Sequence, residues 1–388
     1  MLINRLFAAL LSAAALVAGS TGFSGASPVG VTVLPRPGGQ SPVGTTTLHL
    51  VDAARPDPFK PERSRELMVS VFYPAAQIDK YPRAHYASTV LIPELEKRYG
   101  IELPGLLTNS YSGAPALAGS AYPVVLFTPG AGVSRVESTG LAEDLASRGY
   151  VVVTIDHTYE AQLVEFPGGR LVQSAPMPAF DKETRHRFAD ARMLDVQLVL
   201  NSLTGLARGE NPDAEHRDLP SGLDRALDLD RIGLIGHSLG GFTAVESMHD
   251  DRRIDAAIDL DGQIGIDEDF GRAATDGVDR PVLVLTSQQI NEVGDAAPSL
   301  DAFWHHGTGW KRQLMLRDSA HYDFTDMPAL VPEIARAAAK RYIGPLPADR
   351  ATTLVRTYVA AMFDKFLRDR SGTVLDQPPT DPEVVVDR

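Results

Sequence analysis

A serine, an aspartate and a histidine, met in that order along the second half of the chain, are the residues whose setting suggests chemistry. Ser238 lies in Gly236-His237-Ser238-Leu239-Gly240-Gly241, behind the apolar run Arg231 to Ile235 and ahead of a helix-capable stretch, Phe242 to Met248. A hydroxyl is a poor nucleophile unless it is held exposed beside a base, and a tight strand-to-helix turn does this by thrusting the side chain outward. Such a turn leaves little space for Cβ atoms. Gly236 and Gly240 remove them on either side of the serine, and Gly241 allows the following helix to approach the sheet. A bare Gly-x-Ser-x-Gly arises readily in a chain with 33 glycines, so the weight rests on the strand before it and the helix after it.

A serine nucleophile needs a base, and the base needs an anion that holds its tautomer and stabilises the imidazolium. In α/β-hydrolase order the acid follows the serine and the histidine comes last, each on a loop at the C-terminal end of a strand. Ala256 to Leu260 read as a strand that ends at Asp261-Gly262, which places a carboxylate where the chain leaves the sheet. Asp259 is the rival: two positions apart, the pair share a strand face, and Asp261 is preferred because it is terminal. The strand Arg312 to Leu316 leads into Arg317-Asp318-Ser319-Ala320-His321, which puts His321 in the last strand-to-helix loop. Acyl transfer also needs two backbone donors for a tetrahedral intermediate, one from the residue after the nucleophile and one from the loop after an early central strand. Leu239 is the first, and Ala131 in Thr128-Pro129-Gly130-Ala131-Gly132 is the candidate for the second. That glycine pair is not a phosphate-binding fingerprint, because the wider glycine spacing and a following basic residue are missing. His305 and His306 beside Trp304 come without a third ligand at metal spacing, so no metal site is read there and no cofactor is required.

These residues need a regular frame. Thr47 to Asp52 and Arg65 to Pro74 alternate as two antiparallel strands joined through Arg55-Pro56-Asp57-Pro58. From Tyr122 strand and helix alternate: Pro123 to Thr128, the helix Glu137 to Arg148, the strand Tyr150 to Asp156, then a long helix from Lys182 to Leu206 with Ala189, Met193, Val196, Leu200 and Leu203 on one face. Pro281 to Thr286 is a further strand, Thr352 to Arg368 a closing helix and Val384 to Val386 a short β-prone tail. The pattern implies a mostly parallel central sheet with helices on both faces. Residues 81–120 hold a short amphipathic helix, Leu91 to Tyr99, and then loop-like sequence, either a lid or an insertion over a sheet edge. A second insertion is expected near 161–180.

The composition fits one large α/β domain over 47–388, since 388 residues with 44% hydrophobic content can bury a large core. Residues 1–26, with one early cation, an apolar run from Leu6 to Ala18 and small residues after it, read as a signal peptide rather than an uncleaved anchor. Residues 27–46, rich in Gly, Pro, Ser and Thr, read as an exposed lead-in. The chain has no cysteine, which excludes a thiol nucleophile, and a formal charge of −13 argues against nucleic acid or an anionic membrane surface as main partner.

Val125-Leu126-Phe127-Thr128-Pro129-Gly130-Ala131-Gly132, Leu145-Ala146-Ser147-Arg148-Gly149-Tyr150, Ile155-Asp156-His157, the serine turn and Arg317-Asp318-Ser319-Ala320-His321 together resemble the type II, plasma-like platelet-activating-factor acetylhydrolases and their bacterial relatives. Asp52, Arg55-Pro56-Asp57-Pro58 and Arg65 to Pro74 add to the likeness, which extends over most of the chain after the leader. The resemblance implies Ser238 as nucleophile, Asp261 as acid, His321 as base, Leu239 and Ala131 as oxyanion donors, and His157 as a hydrogen-bonding residue outside the triad. It departs from the family at Pro129, where a histidine is usual, and at Gly262-Gln263, which suggests a differently shaped pocket. The expected activity is a secreted serine carboxylesterase acting on short acyl esters or phospholipids. A cutinase-like or polyester-degrading esterase, or a non-enzymatic binding member of the fold, are the alternatives.

Overall fold

The computed structural model describes residues 33–99, 102–103, 105–176, 181–266, 269–294, 296–331, 336 and 339–388. The expected leader, 1–26, lies outside the described residues. The chain then forms the antiparallel pair β1 (Val43–Pro56) and β2 (Ser64–Pro74), with Leu48 opposite Val69. This pairing starts earlier than the composition suggested. Val43 to Thr46, expected within the exposed lead-in, are already paired with β2, and Val43 and Leu34 are buried.

The 81–120 region is also more regular than its sequence implies. β3 (Arg83–His85) and β4 (Leu107–Ser112) extend the sheet beyond β1, and α1 (Ile92–Tyr99) lies between them in sequence. β4 escapes a hydrophobic-period search because its buried positions are hydroxyls: Ser110 Oγ donates to Glu143 at 2.5 Å and Thr108 Oγ1 to the Ala84 carbonyl at 3.0 Å.

The regular part runs β5 (Tyr122–Thr128), α2 (Thr139–Ser147), β6 (Val151–Asp156), a hairpin of β7 (Leu163–Phe166) and β8 (Arg170–Gln173), α3 (Lys182–Ala207), β9 (Leu227–His237), α4 (Leu239–Asp250) and β10 (Ala256–Leu260). After the two-residue strands β11 (Gly265–Ile266) and β12 (Asp269–Phe270) come α5 (Arg272–Thr275), β13 (Val282–Ser287), α6 (Gln288–Val293), α7 (Ala297–His306), β14 (Lys311–Leu316), α8 (Met327–Leu330), α9 (Ala348–Leu367) and β15 (Val384–Val386). Eleven strands share one sheet, in the order β15-β14-β13-β10-β9-β5-β6-β2-β1-β4-β3. The six from β14 to β6 are parallel, and the flanking β15 and β2 are antiparallel. A parallel sheet must be covered on both faces. Leu126, Leu234 and Val284 pack with Val199, Leu203, Val245 and Phe303 of α3, α4 and α7, while Phe127, Ile235 and Leu285 pack with Leu145, Tyr358 and Phe363 of α2 and α9.

The first half of α3 departs from the expected stripe. Phe188, Ala191, Arg192 and Asp195 are the buried residues there, whereas Ala189 and Met193 are only half-buried. Two charges have taken core positions, which is tolerable only because each is paired.

α4 lies against β10 with little clearance: a Cβ on Gly241 would stand 1.7 Å from Asp259 Oδ1. Gly241→Ala is expected to lower stability by about 1–3 kcal/mol, measured as a fall in the denaturation midpoint. Asp259 itself is fully buried, accepts the Gly262 N–H at 2.9 Å, and is pushed up to about 8 by burial and by the neighbouring charge of Asp261. A carboxyl raised in the folded state keeps a proton that the unfolded chain has lost, so its contribution to stability declines as pH climbs from 3.8 toward about 8. Asp259→Asn carries no such proton, so the variant is expected to gain on wild type across that window. Thermal midpoints recorded at several pH values check this, and parallel profiles for the two proteins would contradict a neutral Asp259.

Candidate active site

Ser238 joins β9 to α4 with φ 57° and ψ −122°, a backbone that a residue with a Cβ adopts only when its surroundings impose it. The surroundings are backbone. A Cβ on Gly236 would lie 2.0 Å from the Gly240 carbonyl oxygen, and one on Gly240 would lie 1.9 Å from that of Thr128. The Ser238 N–H donates to Leu260 at 2.8 Å and its carbonyl accepts from Gly241 at 2.8 Å, so the turn is pinned to β10 and to the first turn of α4.

His321, at the start of a short 3-10 turn after β14, faces this serine. Its Nε2 is 2.9 Å from Ser238 Oγ, and its Nδ1 is 2.7 Å from Asp261 Oδ2. Asp261, also at positive φ, accepts two further hydrogen bonds, from the Ser287 N–H at 2.5 Å and the Ser287 hydroxyl at 3.0 Å. A carboxylate that only accepts fixes His321 as the Nδ1–H tautomer and leaves the Nε2 lone pair for the serine proton. Asp259 points elsewhere, into the contact with Gly241 and Gly262. Gly262 has a local cause as well: a Cβ there would meet Asp259 Oδ1 at 2.3 Å and the Ser238 carbonyl at 2.5 Å.

The backbone of His321 is held too. Its N–H donates to Gln289 Oε1 at 3.2 Å, and its carbonyl accepts from His237 Nε2 at 2.8 Å. Burial first, and then the proximity of His321, hold His237 well below the usual histidine range, which keeps it neutral with the proton on Nε2.

The Pro129-to-Gly132 loop lies against the serine. A Cβ on Gly130 would stand 3.3 Å from Ser238 Cβ and 3.1 Å from His237 Nδ1. Leu239 opens α4, so its N–H has no carbonyl one turn back. The Ala131 N–H donates to no other described residue. Among the described residues neither expected donor has a backbone acceptor, and both belong to segments packed on Ser238.

Beneath this loop runs a chain of buried polar groups that pattern reading missed. Arg192 of α3 donates through Nη1 to the Pro129 carbonyl at 2.7 Å and to Thr128 Oγ1 at 3.2 Å, and through Nη2 to the Gly130 carbonyl at 3.2 Å. Its Nε and Nη2 pair with Glu160. Thr128 Oγ1 is 2.8 Å from His157 Nε2, and His157 Nδ1 is 3.0 Å from Asp195. Burial and then the charge of Arg192 lower the pKa of His157. Asp195 pairs with Arg65, whose guanidinium outweighs the cost of burial and holds the carboxylate ionised, and Arg65 also binds Asp57 at 2.8 Å. The sequence signal for this chain existed: Arg55, Asp57 and Arg65 stand out as a polar set beside a strand, and Arg192 and Asp195 interrupt a helical stripe.

Among the described residues no group of three or more His, Asp or Glu side chains could hold a metal ion, and His306 Nδ1 faces the Ala274 carbonyl at 2.8 Å. No helix among them is long and apolar enough to cross a membrane.

The chain matches the family model for platelet-activating factor acetylhydrolase, isoform II, over residues 32–367. A probable 1-alkyl-2-acetylglycerophosphocholine esterase of Arthroderma benhamiae is 28% identical over 394 residues, spanning 91% of this chain and 93% of its own. A platelet-activating factor acetylhydrolase of Bos taurus is 23% identical over 335 residues, spanning 78% of this chain and 70% of its own. Among solved structures, a ferulic acid esterase from Streptomyces cinnamoneus superposes with a TM-score of 0.77 at 37% identity, covering 92% of this chain and 100% of that one. From the sheet order, the esterase relatives and the extent of the family match, the chain is a carboxylesterase of the α/β-hydrolase fold and belongs to the platelet-activating factor acetylhydrolase isoform II family.

Proposed function

We propose that the protein hydrolyses carboxylic esters through an acyl-enzyme on Ser238. The observation that supports this most directly is the unbroken line of hydrogen bonds from Ser238 Oγ through His321 to Asp261. As Oγ attacks the ester carbonyl carbon, its proton passes to His321 Nε2, and Asp261 stabilises the imidazolium. The carbonyl oxygen becomes an oxyanion and takes the Leu239 and Ala131 N–H donors. Collapse breaks the bond to the leaving alcohol, which receives the proton from Nε2. Water then attacks the acyl-enzyme with His321 again as base, releasing the acid and free Ser238.

The acyl group in this proposal is short, and the leaving group is the alcohol of a simple ester or a phospholipid. The names of the Arthroderma and mammalian relatives favour this class. A second reading, a hydroxycinnamoyl ester, is favoured by the 37% identity to the Streptomyces ferulic acid esterase. Export after removal of residues 1–26 is part of the proposal, and N-terminal sequencing of protein recovered from culture medium checks it.

Ser238→Ala is expected to reduce ester turnover at least about 10⁴-fold, and Asp261→Asn to reduce kcat by a similar factor with its unfolding midpoint near wild type. A Ser238→Ala protein that still turns over esters at the wild-type rate removes the mechanism. A panel of p-nitrophenyl acetate, butyrate and laurate, a short-chain phosphatidylcholine and methyl ferulate ranks the substrate classes. The highest kcat/KM on acetyl or short phospholipid esters supports the first reading, and the highest on ferulate replaces it with the second.

A further inference from the structure

We infer that Arg192 is a positioning residue for the oxyanion site, acting through the peptide that carries Ala131. This rests on the acyl-enzyme reading above and extends it to a side chain that touches none of the reacting atoms.

Arg192 has five N–H donors, and each has a partner: Nε and one Nη2 donor on Glu160, the other Nη2 donor on the Gly130 carbonyl, and the two Nη1 donors on the Pro129 carbonyl and Thr128 Oγ1. The guanidinium is buried, as is Glu160, so neither charge is available to solvent. Two consecutive carbonyls are thus drawn toward one fixed cation. In a planar trans peptide the C=O and the N–H point in opposite directions. The unit holding the Gly130 carbonyl also holds the Ala131 N–H, so gripping the carbonyl turns that N–H away from α3. The same loop lies against Ser238 on its other side, where the uncommitted Ala131 donor is needed. The Val133 N–H, which also donates to the Gly130 carbonyl at 3.1 Å, closes the turn in the same sense.

The charge adds polarisation. A cation on the carbonyl oxygen withdraws electron density from the amide and makes its N–H a stronger donor, an effect water does not screen in a buried setting. Lysine cannot substitute: its ammonium has three donors and no planar fork, so it cannot hold Glu160, Thr128 and both carbonyls together. The register of α3 explains why this cation sits in the core face. Thr128, which Arg192 and His157 share, ends β5, so the grip on the loop is tied to the sheet.

The test uses the full-length enzyme and two variants. Arg192→Lys keeps the charge and loses the fork, and the double variant Arg192→Gln with Glu160→Gln removes both charges, so that no unpaired ion is left buried. With p-nitrophenyl acetate, kcat is expected to fall roughly 100-fold in each while KM stays within about twofold, since the lost interaction is made only in the transition state. Affinity for a trifluoromethyl ketone, which forms a tetrahedral oxyanion on Ser238, is expected to fall by the same factor. Folded variants with wild-type kcat and wild-type ketone affinity overturn the inference, as does a rise in KM at unchanged kcat. Should neither variant fold, the wild-type ketone adduct decides by crystallography. The oxyanion within hydrogen-bond distance of the Ala131 nitrogen, with Arg192 still on the Gly130 carbonyl, supports the inference, and any other arrangement overturns it. Ser238→Ala run in parallel separates the two failures: an active Ser238→Ala protein defeats the mechanism itself, whereas an inactive one beside fully active Arg192 variants defeats only the role of Arg192.

Discussion

Where β9 passes into α4, three backbone segments meet with no room for a single added carbon. The Gly240 position approaches the Thr128 carbonyl, Gly236 approaches Gly240, and Gly241 approaches Asp259. The positive φ of Ser238 is the result of that crowding, because the chain can enter the helix at this distance from the sheet only by turning sharply at the residue between the glycines. The same turn makes Leu239 the first residue of the helix, with no carbonyl one turn back for its N–H, and sets Oγ within reach of His321. Strain at one residue is offset by the packing of an eleven-stranded sheet around it.

The two sides of the site are stabilised in different ways. On the His321 side the supports are neutral or singly charged: Ser287 on Asp261, and Gln289 and the neutral His237 on the backbone of the histidine. On the Pro129-to-Gly132 side the support is largely ionic, a run of paired charges from Asp57 through Arg65 to Asp195, continued by hydrogen bonds through His157 to Thr128, with Arg192 and Glu160 at its end. Burying charges is costly, and the cost is tolerable here because every guanidinium in the run lies against a carboxylate. A loop of Pro, Gly, Ala and Gly has no side chain able to fix its own peptide planes, which gives a fixed cation behind it a physical purpose.

Asp259 and Asp261 show how two identical groups on one strand face acquire different surroundings. Asp261 accepts from His321 and twice from Ser287. Asp259 lies in the core and feels the charge of Asp261, which together favour the acid form and outweigh its single backbone donor, Gly262. Only the second is therefore shaped to be neutral, and only the first is placed on the histidine.

The primary structure determined the frame of the site without help: the strand, the glycine-flanked serine and the helix are local patterns, and the later aspartate and histidine fall at strand ends that hydrophobic runs mark plainly. The parallel sheet and its two helical layers follow from the same runs. What tertiary structure alone decided depends on partners distant in sequence. β4 pairs with β1 and β3 while its buried hydroxyls meet Glu143 and the Ala84 carbonyl, which no period of hydrophobicity records. The buried face of α3 turns to include Arg192 and Asp195 because the carbonyls of Pro129 and Gly130, Glu160 and Arg65 wait there. Periodicity could not tell which of two aspartates on one strand face reaches His321, since a spacing of two residues gives both the same side; the terminal position favoured Asp261, and the bend at that residue is what separates the two.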